Sequence, residues 1–352
     1  MLYTQNDILF AQVNTPDTLA PAELDAYLEA GWFRMGQTIF TTNFLHFKDR
    51  FYSAVWLRIV LADLVNSKTE KKLVRQNSIF RMEIKQASLD DEKENLFALY
   101  RKNVAFEASA SLQMLLFGKT NRTIYNTYEI VVYDGDKLIA AGFFDVGAAS
   151  AEGITSFYDP SYKKYSLGKY LIFQKINFCK TRGLQYFYPG YFVPGYPFFD
   201  YKLDIGKEAL QYLQLHTGQW LSIDTFSPEN IPIRVMNERL NALSSLLKDI
   251  AIGSTVWWYE FFDVNLHPDL QGAKLFDFPI FLQCTGISND AINPIIVYDV
   301  RDSHYHIVEC RSIWISNSPR KDSIYADNLL AVDRVLFSTS RADEICAVFA
   351  RA

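Results

Sequence analysis

The sequence predicts an α/β (α+β) protein in which a mixed β-sheet carries a helix on at least one face, with a C-terminal α+β extension. Three observations predict it. Residues 128–133 and 137–144 are β-rich runs joined by Asp134-Gly135-Asp136, a strong hairpin signal. A third strand-like run, 153–158, is stopped by Asp159-Pro160; a polar loop, a helical stretch over 168–182 and another strand over 184–188 follow. From about Ser254 the chain alternates strand-like runs, which sets that segment apart.

Taken in order, residues 21–31 read as a short helix, with Pro21 in its first turn, Leu24, Tyr27 and Leu28 at helical spacing, and Gly31 as its stop. Ser88, followed by Asp91, reads as a capping box opening a helical region that runs to Phe117 and Gly118 with a break near Asn103. The helix over 168–182 places Leu171, Ile172, Ile176 and Cys179 on one face, and Gly183 ends it. Residues 229–250 form a further helix through Val235, Leu240, Leu243, Leu246 and Leu247. Strands are expected over 255–262, 279–284, 294–300 and 306–315, and a closing helix from about Ala326. The expected division is 1–120, 121–250 and 251–352: an N-terminal region, a sheet-and-helix core, and an extension.

With 352 residues, 49% of them apolar and 21% charged, the chain has the composition of a globular protein with a core; disorder and a disulfide mini-protein are excluded. Its apolar stretch 55–65 is broken by Arg58 and Asp63, short of the roughly eighteen apolar residues a membrane helix needs, so no membrane partner is expected. The opening MLYTQND has no basic region ahead of an apolar one, and the four cysteines lack CxxC spacing. A cytoplasmic protein with reduced thiols is expected. The net charge of −5 argues by itself against a general nucleic-acid binder, and no DNA partner is expected. The charge is uneven, however: residues 251–352 hold 13 acids and 8 bases, whereas 160–199 have no acid and contain Lys163, Lys164, Lys169, Lys175, Lys180 and Arg182. A locally basic surface is expected there.

The loop 158–168 lies between a strand and a helix N-terminus, where free backbone N–H groups and the helix dipole suit an anion or a developing oxyanion. Gly168 would let a ligand approach the backbone, and Lys163, Lys164 and Lys169 add charge. Equally, it reads as a plain connection with solvated lysines. The aromatic segment 186–197, followed by Asp200-Tyr201-Lys202, reads either as core or as a platform on which a base stacks. His304 and His306 share a strand face without a third ligand, so no metal is expected. Cys179, on an apolar helix face, is no nucleophile, and no GxSxG, Walker or HExxH signature is present.

The order of hairpin, strand, loop, helix and strand resembles the core of GNAT-type acyltransferases. The motifs resemble more specifically the aminoacyl-tRNA–protein transferases, the arginyl- and leucyl-transferases of the N-degron pathway. Gly31, Trp32, Arg34 and Gly36 match a Gly-Trp/Phe-x-Arg-x-Gly segment, Arg75 and Asn77 an Arg-x-Asn element, and Phe144-Asp145-Val146 a strand end. The block 155–160 with Ser166-Leu167-Gly168, the run 183–192, the pair Tyr201-Lys202 and Gly218-Gln219-Trp220 follow in family order. The resemblance covers about residues 20 to 222. Two features depart from it: no cysteine precedes Cys179, so the family's N-terminal cysteine cluster is missing, and Phe192 stands where the motif has Trp.

The resemblance implies transfer of an amino acid, arginine first among the candidates, from charged tRNA to the α-amino group of a protein N-terminus, without a cofactor. Partners would be aminoacyl-tRNA and acceptor N-termini. The site would lie where the strands ending at Asp145, Tyr158 and Tyr191 approach the helix near Gly168. Ser166 and the amides after it would cradle the ester oxygen, Asp145 would hold the aminoacyl group, and Tyr158 or Tyr191 would relay a proton. Lys163, Lys164, Lys169, Arg34 and Arg75 would bind tRNA, with Asn77, Gly168 and Tyr201 also at the substrate. An acyl-CoA N-acyltransferase and a non-catalytic scaffold for tRNA or N-termini remain as competing readings.

Overall fold

The structure, a computed structural model, describes residues 9–104, 109–120, 122–270, 273, 275–284, 295–315 and 324–350. Its centre is an eight-stranded mixed sheet. In chain order the strands are β1 (Val55–Val60), β2 (Arg81–Gln86), β3 (Thr127–Asp134), β4 (Lys137–Val146), β5 (Ser150–Tyr158), β6 (Tyr186–Phe192), β7 (Leu210–Gln214) and β8 (Gln219–Ser222); in space they run β8-β7-β1-β6-β5-β4-β3-β2. The expected hairpin is β3–β4, and Gly135 takes the left-handed conformation (φ +60°) that its turn requires. The sheet draws β1 and β2 from residues before 121.

Helices α1 (Pro21–Glu29), α2 (Lys68–Asn77), α3 (Asp91–Arg101), α4 (Leu112–Phe117) and α5 (Leu167–Thr181) cover the two faces. On one face α2 and α5 bury Leu73, Leu171, Ile176 and Cys179 against Val132, Ala140, Phe144 and Phe187. On the other, α3 and α4 pack Phe97 and Leu116 on Phe143 and Phe157. Beside them α1 and the short strands Phe33–Met35 and Thr38–Thr41 pack on Trp56, Tyr188 and Trp220. Ser88 does not cap α3. Asp90 does, accepting from the Lys93 amide at 2.9 Å, while the Ser88 hydroxyl meets the Lys93 ammonium at 2.8 Å beside buried Glu129. Asp90 stands at the N-cap position directly before the helix, from which its carboxylate reaches the third amide; Ser88 lies two residues too early.

Beyond the sheet, α6 (Pro232–Asp249) packs on a five-stranded antiparallel sheet in the order β9 (Ser254–Trp258), β10 (Ile280–Cys284), β11 (Ile295–Asp299), β12 (His304–Ile315), β13 (Asn328–Thr339), with α7 (Ala342–Phe349) beside it. Two expectations are corrected here. The first strand stops at Trp258 and continues as a 3₁₀ turn, and the helix expected from Ala326 is β13. Leu329, Val332 and Leu336 fall at helical spacing, but the long ladder from Tyr305↔Thr339 to Ile315↔Asn328 overrides that local pattern. Pro294 and the MLYTQND segment lie outside the described residues. Among the described residues, no helix is long and apolar enough to cross a membrane.

Candidate active site

Parallel pairing between β5 and β6 covers only Ser150↔Tyr186, Ala151↔Phe187 and Glu152↔Tyr188. Past that point β5 stays with β4 as far as Tyr158, while β6 stays with β1 as far as Phe192, so the two strands part. The sequence at the parting point enforces it. Pro189 has no N–H for a ladder. Gly190 takes φ +85°, and β6 slips register against β1 between Phe187 and Gly190. On β5 the ladder to β4 slips between Gly153 and Thr155. An open sheet that splits at the carboxyl ends of its strands leaves unpaired backbone in a crevice, a usual place for a ligand.

One wall of the crevice ends in the loop before α5. Asp159 accepts from the Ser161 amide (2.9 Å) and hydroxyl (2.6 Å) and pairs with Lys137 at 2.6 Å; burial works against its charge, but these bonds hold its carboxyl below the usual range. Buried Asn77 donates to the carbonyls of Leu73 (2.9 Å) and Tyr165 (3.1 Å), and Gln76 donates to that of Lys164 (3.0 Å), so the end of α2 fixes the loop. Ser166 then enters α5 in the left-handed region (φ +51°), exposed, without capping the helix by its side chain. The first-turn amides of α5 are left as free donors. Tyr158 lies over this turn: a Cβ on Gly168 would be 3.5 Å from its ring.

The opposite wall carries Tyr191 and Lys202. Lys202, in the 3₁₀ segment Pro197–Asp204, donates to the Tyr191 carbonyl at 2.7 Å, with its ammonium 5.4 and 5.2 Å from the ring centres of Tyr191 and Phe199. Among the described residues no carboxylate pairs with it, and loss of water lowers its amine to about 7. Burial likewise pushes the Tyr191 phenol above its ordinary value.

Beneath the parting point runs a row of polar residues in register: Thr127, Asp145, Glu152 and Tyr188. The Asp145 carboxylate is fully buried and accepts from Arg34 at 2.8 and 2.9 Å and from the Thr127 hydroxyl at 2.5 Å. Arg34 also reaches the carbonyls of Gly36 (2.8 Å) and Leu116. Among the described residues Glu152 accepts only from the Arg34 amide, at 3.3 Å, and its other oxygen has no partner. Burial, reinforced by the Asp145 charge, raises Glu152 to about 8.

Residues 92–211, from α3 to β7, match the family described as arginine-tRNA-protein transferase, C terminus. The chain is 29% identical over 216 residues to the aspartate/glutamate leucyltransferase of Leptospira interrogans, covering 60% of this chain and 82% of that protein. It is 30% identical over 198 residues to the aspartate/glutamate leucyltransferase of Vibrio cholerae, covering 54% of this chain and 79% of that protein. The chain belongs to the aminoacyl-tRNA–protein transferase family. It is an aminoacyltransferase. Among solved structures it is similar to the L-PGS of Bacillus licheniformis, with 11% identity, a TM-score of 0.30, and coverage of 48% and 51% of the two chains.

In this transferase the residues singled out by sequence fall into two groups. Tyr158, Ser166, Gly168, Lys169 and Tyr191 come together around the crevice, with exposed Tyr201 beside Lys202. Arg34, Asp145 and Asn77 do not line it. The Arg34 side chain keeps 3% of its surface, too little for a phosphate; Asp145 keeps none for an aminoacyl group; Asn77 is a buried tether. These motif positions build the floor and wall instead.

The expected basic surface also changes shape. Lys175 is wholly buried, donating to Phe143 O (2.9 Å), Thr155 O (2.6 Å) and Ser156 Oγ (3.0 Å), and Lys180 bonds Leu64 O at 3.2 Å. The exposed cations Lys163 and Lys164 are joined instead by Lys71, Lys72 and Arg75 of α2, brought alongside by the Asn77 and Gln76 bonds. The sequence reading missed Lys202 as a chemical group. Its signal was there, in a lysine directly after the aromatic run 186–201. His306 is not paired with His304 for metal binding; it groups with Asp299 and Asp302, and Asp299 is held by Arg301 at 2.6 Å.

Proposed function

We propose that this transferase moves leucine from charged tRNA onto the α-amino group of proteins with an N-terminal aspartate or glutamate, in the crevice between β5 and β6. The observation that carries the crevice assignment is the parting of the two strands between a helix N-terminus with free amides and a lysine without a carboxylate partner. Leucine is preferred to arginine on two grounds. The related proteins are named leucyltransferases, and Asp145, the carboxylate suited to an arginine side chain, is taken up by Arg34.

The donor is an activated ester, so the enzyme need form no covalent bond. The acceptor amine attacks the ester carbonyl within about 3 to 3.5 Å. The amides after Ser166 stabilise the resulting oxyanion. Collapse breaks the bond to the tRNA ribose, whose oxygen leaves with a proton. Lys202, in its neutral form, takes the proton that the acceptor ammonium loses before attack; the second proton leaves the attacking nitrogen as the amide forms and passes through the Tyr158 hydroxyl, against the first turn of α5, to the leaving ribose oxygen, so Tyr158 ends as it began; Tyr191 holds Lys202 through its carbonyl. Lys163, Lys164 and Arg75 contact the tRNA backbone, and Lys169 stands at the helix entrance. We further propose a cytoplasmic location, and an extension over about 251–352 that supports the N-terminal segment. Phe10 and Ala11 donate to the buried Asp277 carboxylate, in keeping with that role.

The test is transfer from a mixture of charged tRNAs to peptides differing only in their first residue, read by mass spectrometry. Leucine on Asp- and Glu-peptides is expected. Arginine addition restores the arginyl reading, and no addition to any peptide removes the catalytic one.

A further inference from the structure

The hairpin of strands Phe44–Phe47 and Arg50–Ser53 stands between the C-terminal extension and the far end of the β6 wall. Its register pairs Phe44 with Ser53, Leu45 with Tyr52, His46 with Phe51 and Phe47 with Arg50. Side chains alternate along each strand, so Phe44, His46, Phe51 and Ser53 share one face while Phe47 and Tyr52 lie on the other. The two faces meet different parts of the molecule.

The first face packs on the C-terminal unit. Phe51 stacks on Trp258 at the end of β9 (ring centres 4.9 Å, 18°), Phe44 meets Phe262 edge-on at 6.4 Å, and the Ser53 hydroxyl accepts from the Ile233 amide in the first turn of α6 at 3.0 Å. At the tip, the Tyr325 hydroxyl donates to the Asp49 carbonyl at 3.2 Å. All of these partners lie beyond residue 211, where the family match ends. The second face packs on the wall. Phe47 and Tyr52 stack on each other (4.6 Å, 14°), and both meet Tyr196, at 4.5 and 5.6 Å. Tyr196 leads to Phe199 at 5.9 Å, and Phe199 to Tyr191 at 5.4 Å and to the Lys202 ammonium at 5.2 Å.

The wall needs such support. It is open toward β5 from the parting point, its ladder to β1 ends at Phe192↔Val55, and Pro197–Asp204 is a 3₁₀ segment outside any ladder. We propose that the extension is a working part of the transferase: through this two-faced hairpin it holds the Lys202 wall at the distance that transfer requires. The inference rests on the transferase reading and gives the extension a task within it. Trp258 and Phe51 touch no reacting group and act as positioning residues. A wall displaced by about 1 Å takes Lys202 out of reach of the acceptor amine, a loss of roughly a hundredfold in rate. The same displacement lets water reach the Lys202 amine, against which Tyr191 is the titratable side chain, and returns that amine toward its ordinary 10.5.

The experiment measures hydrogen–deuterium exchange over residues 190–204 and single-turnover leucine transfer from leucyl-tRNA to a Glu-initiated peptide, in wild type, Trp258→Ala, Trp258→Phe, Phe51→Leu and Ile345→Ala. Ile345, buried on α7, is the control, because its truncation loosens the extension away from the hairpin. Trp258→Ala is expected to speed exchange in the wall and to slow transfer by about tenfold to a hundredfold, without changing the concentration of either substrate that half-saturates it. It should also move the pH at which transfer rises upward from about 7. Phe51→Leu should do the same to a smaller degree, which decides the matter if Trp258→Ala does not fold. Trp258→Phe and Ile345→Ala should keep the wild-type exchange and pH profile. Unchanged exchange in the folded variants overturns the proposal, as does faster exchange with unchanged transfer, or an equal response to Ile345→Ala. Absence of transfer by wild type with every charged tRNA counts against the function instead, and exchange alone then decides whether the extension holds the wall.

Discussion

Lys175 bonds β4 and β5 and Lys202 bonds β6; burial brings both amines to about 7, yet their surroundings differ in kind. Lys175 has three acceptors within 3.0 Å, two of them carbonyls at the place where β4 and β5 slip register, and Gly142 leaves the room it needs: a Cβ there would be 3.0 Å from Lys175 Cε. It repairs a ladder. Lys202 has one carbonyl and two ring faces, at the rim of a crevice. A depressed pKa alone therefore does not mark a catalytic group; spare bonding capacity next to an open space does.

The comparison breaks most sharply at Lys202. Lys202→Ala is expected to fold and to lose about a hundredfold to ten-thousandfold in single-turnover transfer, the usual range for a proton-transfer group. The next effect is on stability. Asp145→Ala strands the buried Arg34 guanidinium and should cost about 3 to 5 kcal/mol by urea unfolding. Lys175→Met leaves two buried carbonyls without donors and should cost about 3 kcal/mol, with unchanged turnover per folded molecule.

Titration sharpens the contrast. Transfer should rise with pH through about 7 as Lys202 loses its proton, and Lys202→Arg should flatten that rise. Lys175 binds its proton more weakly when folded than its ordinary 10.5, so its contribution to stability grows from about pH 7 toward 10.5 and vanishes in Lys175→Met. Glu152 has the opposite sign. Raised from 4.5 to about 8, it costs stability progressively across that window, and Glu152→Gln should gain most over wild type at pH 8 and little at pH 5. The smallest effect is on the exposed lysines: Lys163→Glu with Lys164→Glu should reduce the salt slope of tRNA binding by about 2.

Where local chemistry decides the backbone, the sequence was legible. Asp134-Gly135-Asp136 makes its hairpin, Pro160 and Gly183 bracket the loop and helix of the site, and the motif around Ser166 lies at the helix entrance. What lies in tertiary contact was not. Nothing local says that Arg34 meets Asp145, 111 positions away, or that Lys175 turns inward to carbonyls while Lys163 stays in water. Residues 328–339 looked helical because only their partner strand, not their own spacing, shows them to be a ladder.

The central claim is aminoacyl transfer in the β5/β6 crevice with Lys202 taking the proton. Its most direct test is the single-turnover rate of leucine transfer from leucyl-tRNA to a Glu-initiated peptide, by wild type and by folded Lys202→Ala, from pH 6 to 9. The account predicts a wild-type rate rising through about pH 7 and a variant at least about a hundredfold slower without that rise. Equal rates with the same pH profile would contradict it.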